Sequence, residues 1–460
     1  MGGSGGRKRL GEVYPHCFNE GDIKEDACTV AIVGYDAIQI LRSLLALTFS
    51  SVRELAQAFL KYPIEQAKQK YPMAHTFVFA FDKYPFVPIA KGVEQQKRTK
   101  QHNEPEEYEF DFSPDAPVMD SWSSVTGDRD KGVPEILRAF VAEWLLDPPK
   151  ERVIIDGHYL DEFQGQYNVQ NVPLCLSPVS RLAHEYTNTL GEGDFGLPFL
   201  LKKLSKELHP EESIVIHSVD SDMVCIGMLL SKQIPNRVHL RFWPMLGHCV
   251  NSRGHGRMEG KNVQKWCDAT LLRTSIETDD RLKAIPDPVK VMILAIYASG
   301  GDWSEPIPRA PVHHWINTVL VNASFFTKLV DEDWKIDHGS FKTFVGCATM
   351  QAIAGKRLYE HTSDACLDNN RMPRPDDVLH RRKHAQYALL MLSRTGKKSL
   401  NLDDCRLYSY GRRDMDLPFD RKNVVRLHKS QAPQDLMSED EQTLSRNRGD
   451  KTENDCVDLT

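Results

Sequence analysis

Short apolar runs that stop at glycine or aspartate alternate along the chain with longer stretches whose apolar residues recur at helical spacing. The run CTVAIVG (28–34) is β-branched, free of charge and closed by Gly34, which predicts a buried strand. Asp36 follows two residues later, and then IQILRSLLALTF and VRELAQAFLKY carry the spacing of amphipathic helices. HTFVFAF is a second buried strand with Asp82 directly at its end, and ERVIID (151–156) a third after the helical VPEILRAFVAEWLL. SIVIHSVDSD runs from a strand into Asp220 and Asp222, MVCIGMLLSK is helical in pattern, and NRVHLRFW is a further strand. VKVMILAIYASGGDW predicts an apolar helix ending at a glycine pair, with Asp302 just beyond. Alternation of this kind predicts an α/β fold whose mostly parallel twisted sheet is flanked by helices. Beyond residue 302 strand signals thin out, and WINTVLVNASFFTKLV and KHAQYALLMLSRT predict a helical C-terminal annex.

Composition narrows this picture more by its distribution than by its totals. Among 460 residues, 41% are hydrophobic and 27% charged, which is the balance of a folded chain. No apolar run reaches the roughly 18 residues of a membrane span, and MGGSGGRKRL lacks the apolar core of a secretory signal. Those first residues read as a disordered Gly/Ser leader, and Gly6 stands where a myristoylation signal needs Ser or Thr. The ten cysteines form no CxxC and no regular framework, so reduced thiols in an intracellular protein are expected. His248, Cys249 and His255 are close in sequence but do not have a zinc-ligand spacing. The net charge of −6 is unevenly spread: 103–130 carries −8 and 431–460 carries −5, leaving the remaining chain at +7. A mildly basic body is compatible with a polyanionic partner.

The chemistry-bearing positions are carboxylates at the ends of elements. Asp36, Asp82, Asp220 and Asp222 stand at or just past strand ends, where open parallel sheets bind ligands. Glu192 and Asp194 form an acid-x-acid pair in the Gly-punctuated GEGDFG, and Asp302 follows a helix through Gly300-Gly301. One aspartate after a strand is ordinarily a turn residue or an N-cap. Seven acids brought together would repel one another unless cations neutralised them, and hard oxygen ligands suit Mg²⁺ or Mn²⁺. Two such ions about 4 Å apart are a general device for in-line phosphodiester hydrolysis.

The order of these acids resembles the 5′-nuclease superfamily, with its flap endonucleases, XPG-type endonucleases and Xrn-type exoribonucleases. GEGDFGLPFLLKKL followed by IVIHSVDSDMVCIGMLL is most similar to the Xrn arrangement, and the resemblance spans about residues 28 to 305. It implies a PIN-like nuclease core and a two-metal hydrolase acting on DNA or RNA, with single strands or 5′ ends favoured. It further implies Asp36, Asp82, Glu192, Asp194, Asp220, Asp222 and Asp302 as metal ligands. Lys91 and Arg98, seven residues apart in PIAKGVEQQKR, match the Lys and Arg with which the family contacts the phosphate, and Gln95 or Gln96 matches an Xrn glutamine. Fixed cations there would stabilise charge building on phosphoryl oxygens.

The sequence departs from that pattern in three places. WSEPIPRAPVHHWIN after Asp302 lacks the Gly-x-Gly of a duplex-gripping helix–hairpin–helix. The acidic 103–130 stands where the family has a usually basic arch, and a charge of −8 repels a phosphate backbone. About thirty residues precede the first strand. The expected organisation is a flexible leader (1–27), a nuclease-like core (28–310) with the acidic insertion, a helical region (311–430) and an acidic tail (431–460). Either acidic segment is a candidate protein-binding surface, and Arg371, Arg374, Arg381, Arg382, Lys383, Arg412 and Arg413 make the helical region basic. Two other functions remain open from sequence: a catalytically silent nuclease-like scaffold, and a metal hydrolase of small phosphorylated substrates.

Overall fold

The computed structural model describes residues 4–19, 29–45, 47–82, 111–118, 132–157, 174–176, 193–218, 220–242, 266–300 and 311–359, with scattered positions between 382 and 396. Its centre is an eight-stranded sheet in the order β1-β8-β7-β6-β2-β3-β4-β5. The strands are β1 (Phe18–Asn19), β2 (Val30–Asp36), β3 (Thr76–Ala80), β4 (Arg152–Asp156), β5 (Leu174–Leu176), β6 (Ser213–His217), β7 (Arg237–Arg241) and β8 (Trp266–Asp268). β7, β6, β2, β3 and β4 are mutually parallel, while β5, β8 and β1 pair antiparallel at the two edges. The fold is therefore α/β with a mostly parallel sheet flanked by helices, as the alternating pattern predicts.

Burial on both faces explains why the parallel strands read as unbroken apolar runs. Val33, Tyr35, Phe77, Phe79, Val153 and Ile155 face one layer, built with α2 (Ala37–Leu44), α3 (Val52–Lys70) and α4 (Gly132–Leu146). Ile32, Val78, Ile154, Ile214, Ile216 and Leu240 face the other. That second layer holds α5 (Gly193–Leu204), α6 (Met223–Ser231), α7 (Ala269–Glu277) and α8 (Pro288–Ala298). α9 (Val312–Val321) and α10 (His338–Tyr359) extend it, and most of the rest of the expected C-terminal region lies outside the described residues.

The N-terminal segment differs from the flexible leader its composition suggests. Residues Ser4–Val13 form a helix, α1, whose Leu10 is fully buried, and Phe18–Asn19 complete the sheet edge. Glycine is a poor helix former, but here it permits close packing. A Cβ on Gly5 would stand 2.7 Å from Val312 Cγ1, and one on Gly6 would stand 3.0 Å from Ile296 Cγ2, so α1 lies tight against α9 and α8. Tyr14 donates to Asp279 at 2.8 Å, and Arg9 to Asn317 at 2.6 Å. Part of the acidic insertion is also tied down: Val52 N–H donates to the Ala116 carbonyl and Arg53 N–H to that of Pro114.

A row of large side chains crosses the sheet at or next to the strand ends, on the α3 side. Tyr35 is opposite His217, His217 opposite Arg241, and Arg241 opposite Trp266. Arg241 lies over the Trp266 ring and donates to the Tyr71 hydroxyl at 3.4 Å. His217 is buried with neither ring nitrogen hydrogen-bonded. Burial, then the charges of Arg241 and Lys70, hold its pKa well below that of a free histidine.

Candidate metal centre

Strand order reverses at β2. The chain passes from β2 to β3 and β4 on one side, then crosses to β6 and β7 on the other. Such a switch point opens a crevice beyond the carboxyl ends of the strands. Asp36 is the last residue of β2, with Ala80 of β3 opposite it. Asp82 lies two positions past Ala80, and Asp220 three past His217, the end of β6. Acids remote in sequence thus arrive at one edge of three adjoining strands.

α5 adds a fourth acid. Gly193 begins this helix, and its N–H donates to Asp82 Oδ1 at 2.9 Å. A Cβ at Gly193 would stand 3.0 Å from the Ala80 carbonyl oxygen, so only glycine lets the helix come this close to β3. Gly34 plays the same part lower down, where a Cβ would meet Leu197 Cδ1 at 2.8 Å. Asp194, in the first turn of α5, is therefore held beside Asp82 at the crevice. The helix N-terminus also favours the Asp82 carboxylate, because its free N–H groups carry partial positive charge.

Asp220 and Asp222 are shaped by the tight turn that joins β6 to α6. Asp220 N–H donates to Ser218 Oγ at 3.1 Å, and Asp222 N–H donates to Asp220 Oδ1 at 3.1 Å. Asp222 occupies the N-cap position of α6, yet its side chain makes no capping bond and is 5% exposed. Capping therefore does not account for that buried carboxylate. It does account for part of Asp36, whose Oδ1 accepts from Gln39 N–H at 3.4 Å as the N-cap of α2.

Tyr297 on α8 links the two sides. It is fully buried, and its phenol pKa is pushed well above the ordinary value, by burial first and then by the negative fields of Asp222, Cys225, Asp220 and Asp194. One hydroxyl thus feels acids from α5, the β6–α6 turn and the start of α6. Just past the end of α8 stands Gly300, whose φ of 107° needs glycine, immediately before Gly301 and Asp302 in sequence.

Five of the seven predicted ligands, Asp36, Asp82, Asp194, Asp220 and Asp222, lie at this edge. Glu192, Asp302, Lys91, Gln95, Gln96 and Arg98 lie outside the described residues. Among the described residues no three His, Cys, Asp or Glu side chains form a group that could hold a metal ion by themselves. The donor set itself, carboxylate oxygens without thiol or imidazole, has the chemistry of Mg²⁺ or Mn²⁺ ligation.

Three residues at this edge escape the sequence reading. Asp156 ends β4 opposite Ala80 and is fully buried; its signal was ERVIID, a strand ending in Asp like that before Asp82. Arg7 on α1 lies with its guanidinium carbon 4.5 Å from the Phe242 ring centroid and feels the charge of Asp220. Nothing in the Gly-rich leader signals it. Tyr297 reads simply as one more apolar position of α8. No protein-family model matches this chain, and no curated protein matches it.

Proposed function

We propose that this chain is a divalent-metal-dependent 5′-nuclease that hydrolyses phosphodiester bonds of DNA or RNA on a PIN-like core. The observation that carries the reading is the arrival of Asp36, Asp82, Asp194, Asp220 and Asp222 at the carboxyl edge of adjoining parallel strands, with Asp222 buried at the start of α6. On this reading Asp36, Asp82, Glu192 and Asp194 hold one ion, and Asp220, Asp222 and Asp302 surround the other, several through water. Divalent ions so bound would ease deprotonation of the attacking water and offset charge on the leaving oxygen. The chain's own part is to fix the acids before substrate arrives: Gly193 holds Asp82, the β6–α6 turn holds Asp220, and burial holds Asp222. Lys91 and Arg98 clamp the phosphate, with Gln95 or Gln96 beside them.

The test uses the full chain with labelled single- and double-stranded DNA and RNA, in Mg²⁺, in Mn²⁺ and with chelator. Metal-dependent cleavage should fall by several orders of magnitude in Asp220→Ala, a loss of roughly 4 kcal/mol or more at the transition state. Activity that survives in both Asp220→Ala and Asp222→Ala removes the assignment. A second reading, a catalytically silent scaffold, has its own support. The carboxylates of Asp36, Asp82 and Asp220 already accept backbone N–H bonds, so each has a structural use without a metal. Metal binding without cleavage of any of these substrates is the outcome that favours it.

A further inference from the structure

Arg7 is a cation at the edge where the acids gather, with no hydrogen-bond or ion-pair partner among the described residues. α1 is held rigidly by the tight contacts of Gly5 and Gly6 and by the buried Leu10, so the position of Arg7 is set by the fold. Its guanidinium stacks on Phe242, which directly follows β7, and the Arg241 carbonyl at that end accepts from Ser218 N–H at 3.0 Å. That places Arg7 over the carboxyl ends of β6 and β7, next to the turn that bears Asp220. The charge of Asp220 acts on it, and burial is the largest influence on its pKa. Yet among the described residues Arg7 makes no hydrogen bond and no ion pair, and its guanidinium lies over the ring of Phe242. A guanidinium carries five N–H donors in a rigid fork, and none can be given up by deprotonation.

We infer that Arg7 is a phosphate-binding residue, whose fork, braced on Phe242 and uncommitted to any acceptor among the described residues, receives a phosphodiester group of a nucleic-acid strand entering the carboxylate cluster. The inference rests on the nuclease reading and adds a contact from the N-terminal helix. Arg–phosphate pairs are charge-assisted and frequently bidentate, which suits a planar group braced over a ring. A stacked, preplaced guanidinium needs no reorganisation when the phosphate arrives. Its charge also offsets the repulsion that Asp220 exerts on an incoming phosphate.

The experiment measures binding of a fluorescent single-stranded oligonucleotide by anisotropy in Ca²⁺ across a salt series, alongside cleavage kinetics in Mn²⁺. Arg7→Gln should weaken binding about tenfold or more and raise KM, leaving kcat less affected. The slope of log affinity against log salt should flatten by about 0.7, the value for one lost contact to a single strand. Arg7→Lys should restore the slope, because it keeps the charge, but not the full affinity, because it lacks the fork. If Arg7→Gln fails to fold, Arg7→Lys still decides: full wild-type affinity in that variant overturns the inference. So does an Arg7→Gln protein with unchanged affinity and slope while the wild type cleaves, an outcome that leaves the nuclease reading standing. A wild-type chain that neither binds nor cleaves any oligonucleotide overturns both.

Discussion

Replacing Gly193 by alanine tests how the candidate site is assembled. Inside a helix, Gly→Ala ordinarily stabilises by about 0.5–1 kcal/mol, through propensity and a less flexible unfolded chain. Here the added Cβ would stand 3.0 Å from the Ala80 carbonyl oxygen, 3.2 Å from the Phe81 carbonyl carbon and 3.3 Å from that of Ala80. All three atoms are backbone of the β3 end and cannot rotate away. α5 must therefore lift by a few tenths of an ångström, which strains or breaks the 2.9 Å bond from Gly193 N–H to Asp82 Oδ1. Overpacking costs about 1–3 kcal/mol, and a hydrogen bond to a charged acceptor contributes about 1.5–3 kcal/mol. The balance is a net destabilisation of about 1–3 kcal/mol, against the sign expected for an ordinary helical glycine. Urea denaturation of wild type, Gly193→Ala, Asp82→Ala and the double variant measures it. The two substitutions should be non-additive by about 1 kcal/mol or more, because each removes the same bond. A stabilised Gly193→Ala, or strict additivity with Asp82→Ala, would refute the docking of α5 on β3 described above.

Two further outcomes follow from burial. Leu10→Ala should cost about 2–5 kcal/mol, read as a lowered denaturation midpoint, because its side chain is fully buried under α1; a change within about 0.5 kcal/mol would mean that the segment contributes no core. His217 has a folded-state pKa held well below 6.5 by burial and by Arg241 and Lys70, with Tyr35 and Tyr71 completing its surroundings. The unfolded chain therefore binds the extra proton first, so the contribution of neutral His217 is whole above pH 6.5 and is lost as pH falls below it, by up to ~1.4 kcal/mol per pH unit. Urea midpoints measured from pH 7.5 to 5 should show that decline in the wild type and a shallower one in His217→Gln; parallel curves would contradict the assignment.

The parallel strands were legible because burial on both faces leaves an unmistakable apolar run, as in VAIVGYD, TFVFA and SIVIH. β1, β5 and β8 were not, since two or three residues carry no period to read. α1 stayed hidden for a different reason: its glycines oppose helix formation locally and are explained only by Val312 and Ile296, some three hundred residues away. At the candidate site, the positions of Asp36, Asp82, Asp220 and Asp222 followed from strand ends. That Asp222 is buried, that Asp82 is bonded to the start of α5, and that Tyr297 lies in the field of three acids all depend on packing between elements. Asp156, at the end of ERVIID and of β4, obeys the same strand-end logic.

On the proposed reading, Asp82 just past the end of β3 and Asp194 on α5 hold one and the same ion. Mn²⁺ binding to the full chain by isothermal titration calorimetry, compared among wild type, Asp82→Asn, Asp194→Asn and the double variant, measures this directly. The expected result is that either substitution weakens the same binding by tenfold or more and that the double variant loses little beyond the worse single one. Wild-type affinity retained in both single variants would contradict it.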